Sequence, residues 1–306
     1  MKIVALAGGV GGAKLVDGFA QVLAPSELTV IVNTGDDFEH FGLYISPDLD
    51  TVCYTLAGLA NPQTGWGLRE ETFRVLEEIK KIDGPVWFGL GDRDLATHLE
   101  RTRRQRAGES LIQVTQAFSN SWGVRHPVLP MSNAPVRTKV DTVEYGELPF
   151  QEYFVLHECE PKVKGFLFSG IGSALPAPGV IEAIREADAV VICPSNPWVS
   201  IDPILGLPGL RSELSVKKVV AVSPIIQGRT IKGPAAKMYS ELGIQPSAIA
   251  VANHYGSLLA GFVLDEQDAS LLKDLTTHGL LTNTIMTTPS QRRQLAKVVL
   301  NFIKLL

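Results

Sequence analysis

Short apolar runs that stop abruptly in glycine, proline or aspartate recur along the chain: KIVALAGG, LTVIVNTGDD, VWFGLGDRD, KGFLFSG, AVVICPSNP and KKVVAVSPIIQG. Their apolar residues are consecutive rather than strictly alternating, the pattern of parallel strands covered by helices on both faces. Between many of them the apolar positions take helical spacing, which predicts helices over 13–23, 70–81, 94–106, 111–122, 178–187 and 235–242. Alternation of strand and helix points to an α/β chain with a doubly wound, mostly parallel sheet. VRTKVDTVEYGELPFQEYFV breaks the rhythm by alternating polar and apolar residues around Gly146, and predicts an antiparallel hairpin. With the helical segments before it, this makes about 95–165 a smaller inserted α+β subdomain within one domain spanning 1–306. PSQRRQLAKVVLNFIKLL reads as a closing amphipathic helix, and no internal repeat or low-complexity tract is present.

A length of 306 residues is enough for a sizeable core. Hydrophobic residues at 45% and charged residues at 20% argue against extensive disorder. The net charge of −4 gives no basic footprint, so nucleic acid is not an expected partner. Cys53, Cys159 and Cys193 are far apart and form no C-x-x-C pair, so they read as reduced, buried thiols rather than a disulfide framework or zinc site. The run Ile3 to Ala7 is too short for a signal-peptide core, and no apolar stretch approaches the roughly 20 residues of a membrane span. The expectation is a cytoplasmic enzyme or binding protein with no membrane partner.

Five strand ends carry ligand-like loops. LAGGVGGAKL brings Gly9, Gly11 and Gly12 to a strand-to-helix turn, where backbone amides and the helix dipole favour a phosphate. It is not a Walker A loop, because Lys14 lies between Ala13 and Leu15. It is a poor nicotinamide fingerprint too, because Asn33 ends the second strand where a ribose-binding acid is expected. VNTGDDFEHFGLYISPDLDT crowds Asp36, Asp37, Asp48 and Asp50 just past that strand. Pro47 biases Ser46 toward extended backbone, and if this continues Asp48 and Asp50 project to one side. Converging carboxylates need a cation, and Mg²⁺ with a diphosphate is the usual solution; one of Asp48 and Asp50 could instead cap a helix starting near Thr51. GLGDRDLATH offers Arg93 for a phosphate or a planar ring, while Asp94 reads as a helix cap and His98 as a packed histidine. CPSNP and VSPIIQGRTIKGPAAK place Ser195, Asn196 and Ser223 at strand ends, where they could read a base or phosphate.

Taken in order, GGVGGAKL, VNTGDD, SPDLDT, GWG, GDRDLATH, PSNP and VSPII closely resemble the 2-phospho-L-lactate transferase family of coenzyme F-420 biosynthesis, over most of the chain. The resemblance implies a Rossmann-like, magnesium-dependent transferase, expected to be a homodimer. Its acceptor would be the deazaflavin Fo, its donor a guanosine diphosphate-linked C3 acid (lactyl or enolpyruvyl), and its products GMP and the phosphodiester-linked coenzyme core. Carried over by position, the Fo-contacting residues fall on Asp50 and Arg93, and the magnesium carboxylates on Asp36 and Asp50, with Asp37 and Asp48 as further candidates. Gly9, Gly11, Gly12, Ser195, Asn196 and Ser223 would line the nucleotide side. Actinobacterial-type members are similar in GDRDLATHL and GWG, which tilts the donor toward enolpyruvyl. A non-catalytic nucleotide-sugar-binding protein, similar to the gluconeogenesis factor family, is the alternative of a different class. A nicotinamide oxidoreductase is disfavoured by Asn33.

Overall fold

The computed structural model describes residues 1–306. At its centre lie seven strands: β1 (Ile3–Ala7), β2 (Leu28–Val32), β3 (Val128–Pro130), β4 (Ala189–Ile192), β5 (Lys218–Val222), β6 (Gly261–Asp265) and β7 (His278–Thr282). They pair in the order β7-β6-β5-β4-β1-β2-β3, and every neighbouring pair is parallel. The chain starts inside the sheet and winds outward in both directions, so the order reverses between β1 and β4. Loops leaving the carboxyl ends of those two strands diverge to opposite faces, and the crevice between them is where such sheets bind ligands.

The first half carries helices α1 (Gly9–Ala20), α2 (Pro47–Leu56), α3 (Arg74–Lys81), α4 (Asp92–Arg106) and α5 (Leu111–Ser121), and the chain closes with the helix Pro289–Leu305. All five residues of β1 are buried. Ile3, Ala5 and Ala7 pack with Leu15 and Phe19 of α1 and Val299 of the C-terminal helix. Val4 and Leu6 point into the opposite layer with Ile184 and Phe262. Successive strand residues face opposite ways, so a strand covered on both sides needs apolar residues at consecutive positions. No helix is long and apolar enough to cross a membrane. Cys53 and Cys193 are buried free thiols, whereas Cys159 is half-buried.

Several sequence expectations change. VWFGLGDRD forms no strand. Its rings join an aromatic cluster instead, with Phe88 edge-on to Phe38 at 4.8 Å and Trp87 edge-on to His40 at 5.1 Å. KGFLFSG is a strand, Val163–Ser169, but it belongs to a separate antiparallel sheet with Arg137–Thr142 and Gly146–Pro149. The alternating stretch therefore makes its hairpin, then leaves it for a π-helical turn at Glu152–Leu156. Residues 95–165 are shared between two regions, because α5 packs on β3 and β3 lies in the central sheet.

α1 begins at Gly9 rather than near residue 13, so the glycines form its first turn. Further along, an ideal Cβ on Gly18 would sit 2.2 Å from the carbonyl oxygen of Arg292 in the C-terminal helix. Helix propensity alone favours alanine over glycine by about 1 kcal/mol. Backbone-to-backbone overlap should outweigh it, since overpacking costs about 1–3 kcal/mol. Gly18→Ala is expected to lower the midpoint of thermal unfolding by about 2 °C or more; a raised midpoint would show that the two helices separate without cost.

Candidate active site

A cavity of about 510 Å³ opens at the carboxyl end of the sheet. Gly9 and Lys14 reach it from beyond β1, Asp36 from beyond β2, Ser195 from beyond β4, Ser223 from beyond β5 and Thr284 from beyond β7. Asp48 and Asp50 enter from α2, and Phe154 from the π-helical turn. The cavity thus lies across the β1/β4 crevice that the strand order dictates.

All four aspartates are buried, but they do not share one side. Ser46 and Pro47 start α2, so Asp48 and Asp50 lie in its first turn rather than on extended chain. Proline is at home there because its missing N–H has no helical partner. Residues two apart on a helix are about 200° apart around its axis, so the two carboxylates diverge. Asp48 turns back to α1, its Oδ1 accepting from the Gly9 amide at 2.7 Å and its Oδ2 from Asn33 Nδ2 at 2.9 Å. It caps a helix, but α1 rather than its own. Asp50 turns the other way and ion-pairs with the buried guanidinium of Arg101.

Burial makes ionisation costly here. It pushes Asp36 well above the ordinary carboxyl range, with the nearby charge of Asp48 adding to the rise. Asp37 is pushed up to about 7 by burial, against the opposing pull of Arg137 and the hydroxyl of Ser46, which donates to Oδ2 at 2.8 Å. Burial also raises Asp48, to about 6, against the hydrogen bonds from Asn33 and Gly9. Asp50 is raised by burial and drawn back by Arg101 and His98. Asp36, Asp37 and Asp50 each keep one buried oxygen without a partner, whereas both oxygens of Asp48 are engaged.

The buried face of α4 completes the acidic side. Thr97, His98, Arg101 and Thr102 are its buried residues, and the ligand atoms of Asp50, Asp94 and His98 lie within 4.8 Å of one another. Tyr54 donates its hydroxyl to Asp94 at 2.6 Å, and Arg101 approaches His98 Nδ1 at 3.0 Å. Burial pushes Asp94 upward, but His98 and Tyr54 outweigh it and leave the carboxyl below its ordinary value. Asp94 is not the cap of α4: Glu71 takes that place, accepting from the amides of Arg93 at 2.7 Å and Asp94 at 3.1 Å. Arg93 is exposed, donates to the carbonyl of Arg69 at 2.6 Å and does not line the cavity. The arginine that meets Asp50 is Arg101. The i, i+4, i+7 spacing of Asp94, His98 and Arg101 was the available signal for this face.

The small residues expected on the nucleotide side carry the walls. A Cβ on Gly11 would lie 2.2 Å from the Pro194 carbonyl oxygen, and one on Gly12 would lie 2.7 Å from Ser195 Oγ. Ser195 Oγ accepts from the Gly8 amide at 3.1 Å and donates to the Gly8 carbonyl at 2.8 Å, stitching β4's loop to β1's. Asn196 accepts from the Trp198 amide at 3.0 Å, and Ser223 both donates to and accepts from the backbone of Ile225. All three still line the cavity.

Strand order and a cavity with a carboxylate wall at the point of reversal define a Rossmann-like α/β protein with a small-molecule-sized site there. Residues 3–292 match the family described as 2-phospho-L-lactate transferase CofD, and the chain belongs to that family. It is 47% identical over 284 residues to a phosphoenolpyruvate transferase of Thermobifida fusca, covering 88% of each chain. Against a 2-phospho-L-lactate transferase of Methanosarcina mazei it is 39% identical over 300 residues, covering 97% of this chain and 99% of that one. A crystal structure of a UPF0052-family protein from Bacillus halodurans shares the fold, with a TM-score of 0.64 at 17% identity and 98% of each chain covered. The non-catalytic alternative is not favoured by these matches.

Carboxyls raised by burial hold protons in the native state that the unfolded chain releases near pH 4. Stability therefore falls as pH rises from about 4 through about 7. Metal-free protein is expected to lose stability across this window, and Asp37→Asn to flatten the fall measurably in thermal melts at about pH 5.5 and 7.5. An Asp37→Asn slope as steep as the parent's would contradict the assignment.

Proposed function

We propose that this chain transfers a phospho-C3-acid group from a GMP-linked diphosphate donor to the terminal ribityl hydroxyl of the deazaflavin Fo, releasing GMP. The observation that carries the reading is Asp50: a buried carboxylate on the cavity wall with one oxygen fixed by Arg101 and the other free of hydrogen bonds, 3.8 Å from His98 Nδ1. Membership of the transferase family supports the reaction class. The donor is assigned as the enolpyruvyl form, on the strength of the likeness to the Thermobifida fusca phosphoenolpyruvate transferase.

The free oxygen of Asp50 orients the acceptor hydroxyl and takes its proton as the hydroxyl oxygen attacks the phosphorus bearing the C3 acid. The bond from that phosphorus to the bridging oxygen of GMP breaks, and GMP leaves with the electron pair. Arg101 holds the carboxylate in place and favours its charged form. Arg93 is left out of this assignment, because it faces solvent.

Magnesium fits the donor set. Hard carboxylate oxygens are its preferred protein ligands, and Asp36 and Asp50 each line the cavity and keep a buried oxygen without a partner. Asp36 would hold the ion; the free oxygen of Asp50 is committed to the acceptor hydroxyl, Asp37 does not line the cavity, and Asp48 is occupied with Gly9 and Asn33. When bound, Mg²⁺ supplies positive charge that neutralises phosphoryl oxygens and the leaving group. The chain contributes position: transfers of this kind are catalysed chiefly by alignment and by preorganised charge.

Purified protein with Mg²⁺, Fo and the enolpyruvyl donor is expected to release GMP and yield an Fo product heavier by the phosphoenolpyruvyl group, with slower turnover of the lactyl donor. Asp50→Asn should lower kcat by about a hundredfold or more with an unchanged circular dichroism spectrum. Near-parent turnover by that variant would remove Asp50 from the reaction.

A further inference from the structure

The cavity is electrically lopsided. Its acidic wall is built from Asp36, Asp48, Asp50 and Asp94, and its basic wall presents Lys14 and Lys232. Lys14 is half-buried on α1, yet its ammonium makes neither a hydrogen bond nor an ion pair. The reason lies in its own helix. Asp17, its natural partner at i+3, is taken by Arg292 at 3.1 Å and Gln21 at 3.0 Å, and position i+4 is Gly18, which has no side chain. Burial lowers the pKa of Lys14, and the positive charges of Arg292 and Lys232 add to the fall.

Lys232 arrives from the far side of the opening. Its ammonium donates to the carbonyl of Thr64. The next residue, Gly65, sits against both it and Val10: a Cβ there would lie 3.4 Å from Lys232 Nζ and 2.6 Å from Val10 Cγ1. Val10 and Lys14 are one turn apart on the same face of α1. Two lysines without carboxylate partners therefore flank one stretch of cavity wall.

The place where a glycine-rich turn would ordinarily hold a phosphate is partly occupied. Asp48 Oδ1 accepts the Gly9 amide at the start of α1, so that helix end has an internal anion. The cationic side chains that line this part of the cavity are the two lysines.

We propose that Lys14, assisted by Lys232, is the anion subsite for the diphosphate of the donor. This rests on the transferase reading and adds to it the residue that distinguishes donor from acceptor binding. The diphosphate lies against the basic wall, while the acceptor hydroxyl meets Asp50 on the acidic one.

The test is calorimetric titration of the full-length protein with GDP, alongside absorbance titration with Fo. Lys14→Met keeps the half-buried stem and removes the charge; it is expected to weaken GDP binding about tenfold or more and leave Fo binding within about twofold. Lys14→Arg should restore GDP binding to within about threefold. Exposed Lys232→Met should weaken it about threefold with an unchanged thermal midpoint. GDP bound equally well by the parent and by Lys14→Met would overturn the inference while product formation by the parent kept the transferase reading. A parent protein that neither binds GDP nor forms product would overturn both.

Discussion

Four aspartates are held inside the protein at the carboxyl end of a sheet, and much of the surrounding structure offsets their burial. An ionised carboxylate taken from water without a partner is costly enough that it neutralises instead. Asn33, Ser46 and the Gly9 amide donate to these groups, and Arg101 is buried beside Asp50. The start of α2 at Ser46 and Pro47 helps too, because the positive end of a helix dipole lies beneath Asp48 and Asp50. The compensation is incomplete: Asp36 and Asp37 stay raised, and three carboxylate oxygens have no partner. A protein that needed only stability would place asparagine or an apolar residue there. The unfilled demand for positive charge is what makes the region a site.

The same geometry separates structural from chemical roles among similar residues. Because α2 is helical from Pro47, Asp48 and Asp50 part company, one securing α1 and the other facing the cavity. Gly11, Gly12 and Ser195 bring β1's and β4's loops into contact, closing the crevice floor at the point where strand order reverses. Asp92 and Glu71 exchange caps: Asp92 accepts the Arg74 and Val75 amides of α3, and Glu71 those of α4. That exchange ties the start of α3 to the helix carrying His98 and Arg101.

Much of the sheet was legible because β1, β2, β4 and β5 are consecutive apolar runs ending in loop residues. β3 was not, since Val128–Pro130 is too short to show a period. β7 is an edge strand with no fully buried residue. Val86, Trp87 and Phe88 imitate a strand in sequence, but their partners are aromatic rings from the Phe38–His40 hairpin, which one-dimensional pattern cannot see. At the site, the cluster around Asp36 and Asp50 was visible as charge density. Its geometry was not, because Pro47 signals both an extended preceding residue and the first position of a helix. Arg101 was hidden by its neighbours: in ERTRRQR it looks like one more solvated charge, and only the helical face shared with Asp94 and His98 distinguishes it.

The central proposal is that these carboxylates, whose hold on protons burial strengthens, are kept buried for a cation. Titration calorimetry of metal-free protein with Mg²⁺ at about pH 7, repeated in buffers of different ionisation enthalpy, tests it most directly. The account predicts saturable binding that releases protons, so that the observed heat changes with the buffer, and predicts that Asp36→Asn weakens both binding and release. Binding without proton release, or binding untouched by Asp36→Asn, would contradict it.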